Sequence, residues 1–319
     1  MKKNLLLGLL FSTIVVSFSC EPEGSGGGDP NLQQEDIISI PDAEFKNVLI
    51  HTNSIDTNGD HIGDSTIDLN NDNEIQRSEA EAVTGLIMNY NYFGIGRLVD
   101  FAGIENFNNL LYLKITGLGE ASGGSINGDE LLSYDFSALK KLEYLEFNNV
   151  VTNFSNTLNL SGLPNLKHLK LINDRPYYEV FTDENIALPV NFINVDLQGT
   201  ENLLELEMIN SFLKINFCEV PALRKLNMSY LEGGEPEVFD FHCLTQLEWL
   251  DISENLIKSL ILKNSSVTNT LIANDIGASN MGNYPFVEYI CLDDIPEELE
   301  QIVSLRDEST VVDSKCSFQ

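Results

Sequence analysis

A short pattern of apolar residues, L-x-x-L-x-L, recurs along the chain and constrains its fold more than any other feature. The clearest copy is Leu247-Glu248-Trp249-Leu250-Asp251-Ile252. Alternation in its last positions predicts a short strand with two apolar side chains on one face. One such strand cannot bury that face, but stacked copies can, which predicts a solenoid with a parallel sheet along one side. Further copies are Leu110/Leu113/Ile115, Leu142/Leu145/Phe147, Leu166/Leu169/Leu171, Leu203/Leu206/Met208 and Leu223/Leu226/Met228, with weaker ones at Val83/Leu86/Met88, Val267/Thr270/Ile272 and Val287/Ile290/Leu292.

A second apolar element precedes several copies and is expected to line the convex side of the same core. Its two apolar residues are Phe136 and Leu139, Leu160 and Leu163, Phe217 and Val220, or Phe241 and Leu244. The whole unit resembles the leucine-rich repeat of the irregular bacterial kind, over roughly residues 83–292. The later copies start 20 or 24 residues apart, within the range of roughly 20–29 that is typical of such repeats.

This resemblance implies an α/β fold, a leucine-rich repeat solenoid with a curved parallel β-sheet and a short irregular convex side. It also implies a helical N-terminal cap over residues 37–82 and a small C-terminal cap over 293–319. The asparagine that usually follows the strand is clear only at Asn255. The alternative is an ordinary leucine-rich α/β domain.

The charge of the chain limits its partners. The 319 residues carry a formal net charge of -31, so nucleic acid and anionic lipid headgroups, both polyanions, are poor partners. The acidity suits a calcium-rich external medium, and it also suits a well-solvated ectodomain.

The start of the chain is typical of a secretory signal. Lys2 and Lys3 precede an apolar run, Leu5 to Val16, that is too short to span a bilayer. The following Ser17-Phe18-Ser19-Cys20 resembles a bacterial lipoprotein signal, which implies a signal peptide over 1–19 and lipidation of Cys20. The alternative is cleavage by ordinary signal peptidase, which leaves Cys20 free.

Residues 20–36 are expected to form a flexible tether after the lipidated cysteine, because they are rich in Gly and Ser. The acidic residues directly after Cys20 resemble the surface-export signal of Bacteroidetes lipoproteins. This resemblance implies a monomeric outer-membrane lipoprotein on the cell surface that contacts the membrane only through its lipid anchor.

The stretch from Ile40 to Ile50 predicts a short helix with Pro41 and Asp42 in its first turn. Phe45, Val48 and Leu49 fall on one face, which would cover the open end of the first repeat.

Two acidic loops follow this helix. The second, Asp68 to Glu79, matches the twelve-residue EF-hand loop: Asp68, Asn70 and Asp72 stand at positions 1, 3 and 5, Glu74 offers its carbonyl at 7, and Glu79 is the bidentate carboxylate at 12. Position 6 is Asn73 instead of Gly, and Asn also tolerates a left-handed backbone.

The first acidic loop repeats the alternating oxygens with Asp56, Asn58, Asp60 and Asp64, but Ile67 occupies its twelfth position. It resembles a calcium loop of the thrombospondin type 3 kind. Together, the helix and loops resemble the N-terminal cap of Bacteroidetes leucine-rich repeat proteins, and they imply structural calcium at one or two sites. The alternative is a set of Asx turns without metal.

Four cysteines remain beside Cys20. The C-terminal segment resembles the cap of the same family, which implies a disulfide between Cys291 and Cys316. Cys218 and Cys243 occupy nearly equivalent places in adjacent repeats, within disulfide reach if the repeats stack as strands do. Two buried free thiols are the alternative for that pair.

Strand residues that point away from the core form columns on the concave face. The residues before the second apolar position are Tyr112, Tyr144, His168, Glu205, Lys225, Trp249, Asn269 and Tyr289, and the next column is Lys114, Glu146, Lys170, Glu207, Asn227 and Asp251. Alternating Lys and Glu predict cross-strand ion pairs. The aromatic members Tyr112, Tyr144, His168, Trp249 and Tyr289 are the candidate ligand-binding surface, although such rings also pack against one another as good strand formers.

Catalytic motifs are missing from the sequence. His51, His61, His168 and His242 are scattered without triad or metal-ligand spacing, and no phosphate loop or dinucleotide fingerprint is present. The sequence therefore predicts a non-enzymatic surface for protein binding or adhesion. The alternatives are a glycan-binding accessory protein that uses the aromatic column, or an envelope protein without a specific ligand.

Overall fold

A computed structural model describes residues 36–90, 99–117, 134–152, 157–172, 175–176, 193–211, 213–231, 237–276, 278–279, 282–283 and 287–316. The predicted signal peptide, Cys20 and all of the tether except residue 36 lie outside these ranges. No helix in the described part of the chain is both long and apolar enough to cross a membrane.

Short strands dominate the described residues. The helices are α1 (Ala43–His51), α2 (Arg77–Ala82) and α3 (Pro296–Gln301), with 3-10 turns at Ile104–Asn106, Phe217–Glu219 and Val303–Leu305. The strands are β1 (Gly85–Asn89), β2 (Tyr112–Thr116), β3 (Tyr144–Asn148), β4 (Val151–Thr152), β5 (Leu158–Asn159), β6 (His168–Ile172), β7 (Arg175–Pro176), β8 (Ile193–Asp196), β9 (Glu205–Ile209), β10 (Leu213–Ile215), β11 (Lys225–Asn227), β12 (Glu237–Asp240), β13 (Trp249–Asp251), β14 (Ile257–Ile261), β15 (Thr270–Ile272), β16 (Ala278–Ser279), β17 (Gly282–Asn283), β18 (Tyr289–Cys291) and β19 (Val311–Asp313).

The repeats build one parallel sheet of eight strands, in the order β1-β2-β3-β6-β9-β11-β13-β15. Leucines from successive copies pair directly in the middle of each strand, for example Leu145 with Leu169 and Leu226 with Leu250. These leucines are fully or almost fully buried. The α/β leucine-rich repeat solenoid predicted from the repeat is therefore confirmed.

The opposite side of the core is more regular than the sequence predicts. It carries a three-stranded sheet, β10-β8-β5, and a four-stranded sheet, β12-β14-β18-β19, and both are parallel. The second apolar element lies beneath this side as expected, because Phe136, Leu160 and Phe241 are fully buried. Smaller pairs join β4 to β7 and β16 to β17.

One predicted copy has a register that is wrong by one residue. In β15, Thr270 pairs with Trp249 and Leu271 pairs with Leu250. The inward positions are therefore Thr268 and Leu271 instead of Val267 and Thr270. Thr268 is 5% exposed and Val267 is 41% exposed, as expected from a slip that exchanges the two faces of a strand.

Another predicted copy, Val287/Ile290/Leu292, does not extend the eight-stranded sheet. Its strand β18 pairs with β14 and β19 in the four-stranded sheet. The apolar residues are buried as expected, but the backbone hydrogen bonds place the strand on the other side of the core.

The N-terminal cap covers the first repeat as predicted. The Asp42 side chain accepts hydrogen bonds from the backbone N–H groups of Glu44 and Phe45, at 2.8 and 3.0 Å, and so caps α1. Phe45, Val48 and Leu49 are fully buried. Ile55 forms an antiparallel bridge with Leu86 of β1, so the cap also protects the edge of the sheet from pairing with another chain.

Both pairs of cysteines form disulfides. Cys291 and Cys316 have Cα atoms 6.1 Å apart, and Cys218 and Cys243 have Cα atoms 4.9 Å apart. The second bond removes the free-thiol alternative for Cys218 and Cys243.

A candidate binding face on the eight-stranded sheet

The eight-stranded sheet presents a row of side chains away from the core, here called the outward face. Its first column is Tyr112, Tyr144, His168, Glu205, Lys225, Trp249 and Thr270, in the register of the strand pairs. Two predicted members are wrong. Thr270 takes the place of Asn269 because of the register slip, and Tyr289 lies in the four-stranded sheet, away from this column.

The N-terminal end of the outward face is a stack of aromatic rings. The ring of Tyr112 stacks on that of Tyr144 with centroids 4.6 Å apart, and Tyr144 is 6.1 Å from His168. His61 covers the other side of Tyr112, with ring centroids 3.9 Å apart and planes only 14° from parallel. His61 is not among the residues predicted for this face, because nothing in the chain order connects the first acidic loop with the second repeat.

The two tyrosines are the shielded rings of this stack, whereas His61 is exposed. Tyr112 is 8% exposed, and burial raises the pKa of its hydroxyl to about 12. Burial and a hydrogen bond to Glu146 also raise the pKa of Tyr144. Because the ring faces are used against one another, Tyr112 and Tyr144 mainly stabilise the face, and they offer little ring surface to a ligand.

A ladder of ion pairs forms the second outward column, as the alternation of Lys and Glu predicts. Lys114 lies 2.9 Å from Glu146, and Lys170 lies 3.3 Å from Glu207. Burial by itself would raise the pKa of Glu146, but the hydroxyl of Tyr144 at 2.7 Å and the ammonium of Lys114 outweigh it and lower that pKa. Glu146 is therefore a structural carboxylate.

The C-terminal end of the outward face is more open. Trp249 is partly exposed, and the Lys225 ammonium lies 5.5 Å from the centroid of its ring, a cation–π geometry. In the middle of the face, between the stack and Trp249, His168 and Glu205 lie 3.4 Å apart with side chains 39% and 41% exposed. An aromatic ring with charges of both signs beside it is the arrangement expected at the centre and rim of a protein interface.

The second acidic loop turns at its sixth residue through a left-handed backbone conformation. Asn73, at position 6, has φ 63°, and its N–H donates to the carboxylate of Asp68 at 2.9 Å. Glu79 reaches back from α2 and accepts from the backbone N–H groups of Leu69 and Gln76, both at 3.0 Å. The side chain of Glu74 pairs with Lys46, at 2.7 Å.

The first acidic loop repeats this turn. His61, again the sixth residue, has φ 64° and donates its N–H to Asp56 at 2.8 Å. Asn58 accepts from the N–H of Asp60 at 2.9 Å, as Asn70 does from Asp72 in the second loop. Asp64 accepts from Thr57 and Asn58 instead of standing free.

Carboxylate and amide oxygens in such turns are chemically suited to calcium. Within the described ranges, however, the acids of these loops do not form a group of three with oxygens mutually within 4.8 Å. The one such group of ligand-type residues there is Cys218, His242 and Cys243, and its two sulfurs are already joined as a disulfide.

Comparison with known proteins gives structural neighbours only. Neither a protein-family model nor a curated protein sequence matches the chain. An internalin, InlF, from Listeria monocytogenes str. 4b F2365 is 17% identical, with 75% of this chain and 82% of that chain covered and a TM-score of 0.20.

Two other Listeria monocytogenes structures resemble this chain at a comparable sequence identity. InlP is 16% identical over 75% of this chain and 63% of its own length, with a TM-score of 0.30. The functional domain of InlJ, described as including a cysteine ladder, is 16% identical over 73% of this chain and 64% of its own length, with a TM-score of 0.22. The chain thus spans less than two thirds of these two structures.

Proposed function

We propose that this protein is a non-enzymatic binding module that recognises another protein through the C-terminal part of its outward face. The observation that carries the proposal is the partly exposed ring of Trp249 beside Lys225, with Glu205 and His168 next along the column. Tryptophan is enriched among residues that dominate binding energy, and a surrounding rim of charges favours correct partners and excludes others.

The decisive experiment compares Trp249→Ala with Val238→Ala. Val238 is 58% exposed on β12 of the opposite side, so it controls for the loss of an exposed apolar side chain elsewhere. A fragment of residues 31–319 would be used to capture partners, and the affinity of the captured protein then measured by titration. We expect Trp249→Ala to weaken binding at least about tenfold, which is about 1.4 kcal/mol, and Val238→Ala to have no effect. Equal affinities of the two variants would reject the proposed face.

The second candidate is recognition of a glycan by the same ring. Tyr112 and Tyr144 stack on each other, whereas the ring of Trp249 is partly exposed, so one sugar could stack on it. Binding on a glycan array that is lost with Trp249→Ala, without capture of a protein, would favour this candidate. If the chain binds neither another protein nor a glycan, the result would favour an envelope protein without a specific ligand.

We further propose that the protein is a surface lipoprotein held by acyl chains on Cys20, which is supported by the Lys2-Lys3 and apolar segment before it. Cys20→Ser should move the protein from the membrane fraction to the soluble fraction. If the variant stays in the membrane fraction, lipidation of Cys20 is not the anchor.

Calcium binding at the acidic loops is a separate proposal, supported by the oxygen-rich turns and the position of Glu79. A bound cation would offset the repulsion among Asp68, Asp72 and Glu79, which makes these residues part of the cap. Extracellular sites of this kind have dissociation constants on the order of 10⁻⁴–10⁻³ M. Calcium at a hundred times that constant would stabilise the folded state by about 2.7 kcal/mol.

Melting curves in calcium, magnesium and EDTA test this proposal. Calcium should raise the melting temperature and magnesium should raise it less, since magnesium demands stricter octahedral geometry. Glu79→Ala should remove most of the gain. The control Glu81→Ala changes an exposed acid of the same helix and should keep it. Identical curves in calcium and EDTA would mean that the loops are solvated turns.

A further inference from the structure

The two sheets of the opposite side leave a gap between their edge strands, β10 and β12. β10 pairs with β8 and β12 pairs with β14, and within the described residues no backbone hydrogen bond joins β10 to β12. Shortly after these strands the two segments are close again, because the Cα atoms of Cys218 and Cys243 lie 4.9 Å apart. A cavity of about 410 Å³ lies at the gap, within the range of about 300–1,000 Å³ that is usual for small-molecule sites.

The walls of this cavity are mainly apolar and come from both edges. β10 contributes Leu213 and Ile215, and β12 contributes Phe239. Met208 of β9 and Met228, which directly follows β11, line the cavity from the side of the eight-stranded sheet. Methionine side chains are flexible and fill irregular spaces. Walls of this kind suit a compact apolar molecule.

A charged residue interrupts the apolar pattern of these walls. Glu237 also lines the cavity, and it stands 24 residues after Leu213. The same offset relates Phe217 to Phe241, whose ring centroids are 5.6 Å apart, so Glu237 has in β12 the place that Leu213 has in β10. Its pairing partner in β14 is Ile257, which is buried. A carboxylate therefore occupies a position where the neighbouring repeats have aliphatic side chains.

The carboxylate of Glu237 is partly buried and, among the described residues, has no hydrogen-bond or ion-pair partner. Burial raises its pKa, and the ammonium group of Lys214 offsets this rise only in part. Lys214 is exposed to solvent. Because a carboxylate loses hydration when it is buried, an unpaired one in a cavity wall costs stability. Such a cost is typical of a residue that is kept for a ligand.

From this geometry we propose that the cavity between β10 and β12 binds a small apolar primary amine, with the Glu237 carboxylate as the partner of its ammonium group. The hydrocarbon part of the ligand contacts Leu213 and Phe239. An ammonium ion supplies the hydrogen-bond donors that the carboxylate lacks, and a bond between two charged groups is among the stronger kinds.

The charges around the cavity also favour a cation. Two acids, Glu237 and Asp240, and one base, Lys214, are among the described residues that line it. Oδ1 of Asp240 lies 2.7 Å from Nδ1 of His242, so this carboxylate is already engaged and contributes mainly its field. Lys214 would attract an anion, but its exposed ammonium is hydrated, whereas Glu237 is partly removed from water. The chain as a whole has a formal net charge of -31, which attracts cations from a distance.

The test titrates the intact chain with probes of similar shape that differ in charge: phenethylamine, phenethyl alcohol and phenylpropionate. The methionine methyl groups are isotope-labelled and followed by NMR. We expect phenethylamine to shift the signals of Met208 and Met228 and to leave that of Met88, which is fully buried in β1, unchanged. Phenethylamine should bind at least about tenfold more tightly than phenethyl alcohol, the scale of a hydrogen bond to a charged group, and phenylpropionate should bind more weakly than either.

Glu237→Gln keeps the shape of the side chain and removes its charge. This variant should bind phenethylamine and phenethyl alcohol with equal affinity. The matched control Glu288→Gln changes an exposed acid directly before β18 and should keep the tenfold preference for the amine. Ile215→Phe places a larger side chain in the cavity and should weaken the binding of all probes.

Several outcomes would overturn the proposal. Unchanged signals of Met208 and Met228 with every probe would mean that the cavity is not a ligand site. Equal affinities of the wild type for the amine and the alcohol, or tighter binding of phenylpropionate, would reject an amine as the ligand. A preference for the amine that persists in Glu237→Gln would reject Glu237 as the group that recognises it. If either variant fails to fold, the comparison of the probes on the wild type still decides the class of ligand.

Discussion

The two sides of this solenoid differ in continuity. The L-x-x-L-x-L strands form one unbroken sheet of eight. The opposite side is divided into sheets of three and four strands, and we call the boundary between their edge strands β10 and β12 the seam. The division coincides with a change in repeat length, because Leu203 and Leu223 are 20 residues apart and Leu223 and Leu247 are 24 apart. Repeat length alone does not produce the break, because β5, β8 and β10 pair although the copies that contain them are 24, 37 and 20 residues long.

The consequence is a division of roles. The continuous side has satisfied backbone hydrogen bonds and buried leucines, and it presents a fixed outward face. The divided side has a cavity where β10 and β12, within the described residues, do not pair with each other, and the Cys218–Cys243 disulfide joins the segments that follow these strands. Regions with few backbone hydrogen bonds and loose packing unfold locally before the rest of a protein. We therefore expect the seam to open first.

The largest expected effect comes from a matched pair of leucines. Leu206→Ala in β9 removes a fully buried side chain from the continuous side and should cost about 3–4 kcal/mol of unfolding free energy. Leu213→Ala in β10 lies against the existing cavity and should cost about 1–2 kcal/mol, since fewer contacts are lost there. Urea denaturation measures both. Equal costs would show that the two sides are packed equally well.

The second effect concerns the disulfides. Replacing Cys218 and Cys243 together by Ser should cost about 3 kcal/mol, because the bond closes a loop of about 25 residues. Hydrogen exchange should accelerate first at β10 and β12. The matched double variant of Cys291 and Cys316 closes a loop of the same length and should leave exchange at the seam unchanged. Uniform acceleration in both variants would remove the distinction between the two bonds.

A pH-dependent effect is expected at the C-terminal end of the divided side. Glu298 is 2% exposed, and burial, with a further contribution from Asp293, raises its pKa to about 7. The folded state therefore holds this proton more tightly than the unfolded state. Stability should fall as the pH rises from about 4.5 to about 7 and then level off, by an amount on the order of 1–3 kcal/mol.

Glu298→Gln tests the assignment of that pH dependence. The amide can still accept the N–H of Asp293, which the carboxylate accepts at 2.9 Å, so the variant should be more stable than the wild type above pH 7 and similar at pH 4. Glu297→Gln changes an exposed neighbour and should not alter the profile. If Glu298→Gln keeps the pH dependence of the wild-type stability, groups other than Glu298 cause that dependence.

The smallest expected effect on stability is that of Trp249→Ala. The ring stands on the outward face of the continuous side and is only partly buried, so its removal should cost less than about 1 kcal/mol. Tyr112→Ala, in the shielded stack, should cost about 3 kcal/mol. Thermal denaturation of both variants would check this order, and a large loss for Trp249→Ala would mean that the ring is part of the core.

Much of the fold could be predicted from the sequence, because apolar alternation identifies the side chains that a strand must bury. Leu145, Leu169 and Leu226 lie where the pattern places them, and Phe45, Val48 and Leu49 cover the first repeat. Part of the candidate binding face could be predicted from the sequence too. Tyr112, Tyr144, His168 and Trp249 share a column, and Lys114 pairs with Glu146. These features follow from the period of two along a strand and from the regular stacking of copies.

Tertiary structure decided the rest, because apolar pattern does not choose a hydrogen-bonding partner. Two registers of β15 have apolar alternation: one buries Val267/Thr270/Ile272, and the other buries Thr268/Leu271. Pairing with β13 selects the register that buries Thr268 and Leu271. Tyr289 belongs to a well-patterned strand, yet pairing with β14 removes it from the outward face. His61 meets Tyr112 and His242 meets Cys243 only because loops and neighbouring repeats converge in space. Local sequence determines which side chains are buried in most copies, and contacts distant along the chain decide the register of β15, the sheet that β18 joins and the polar groups that meet.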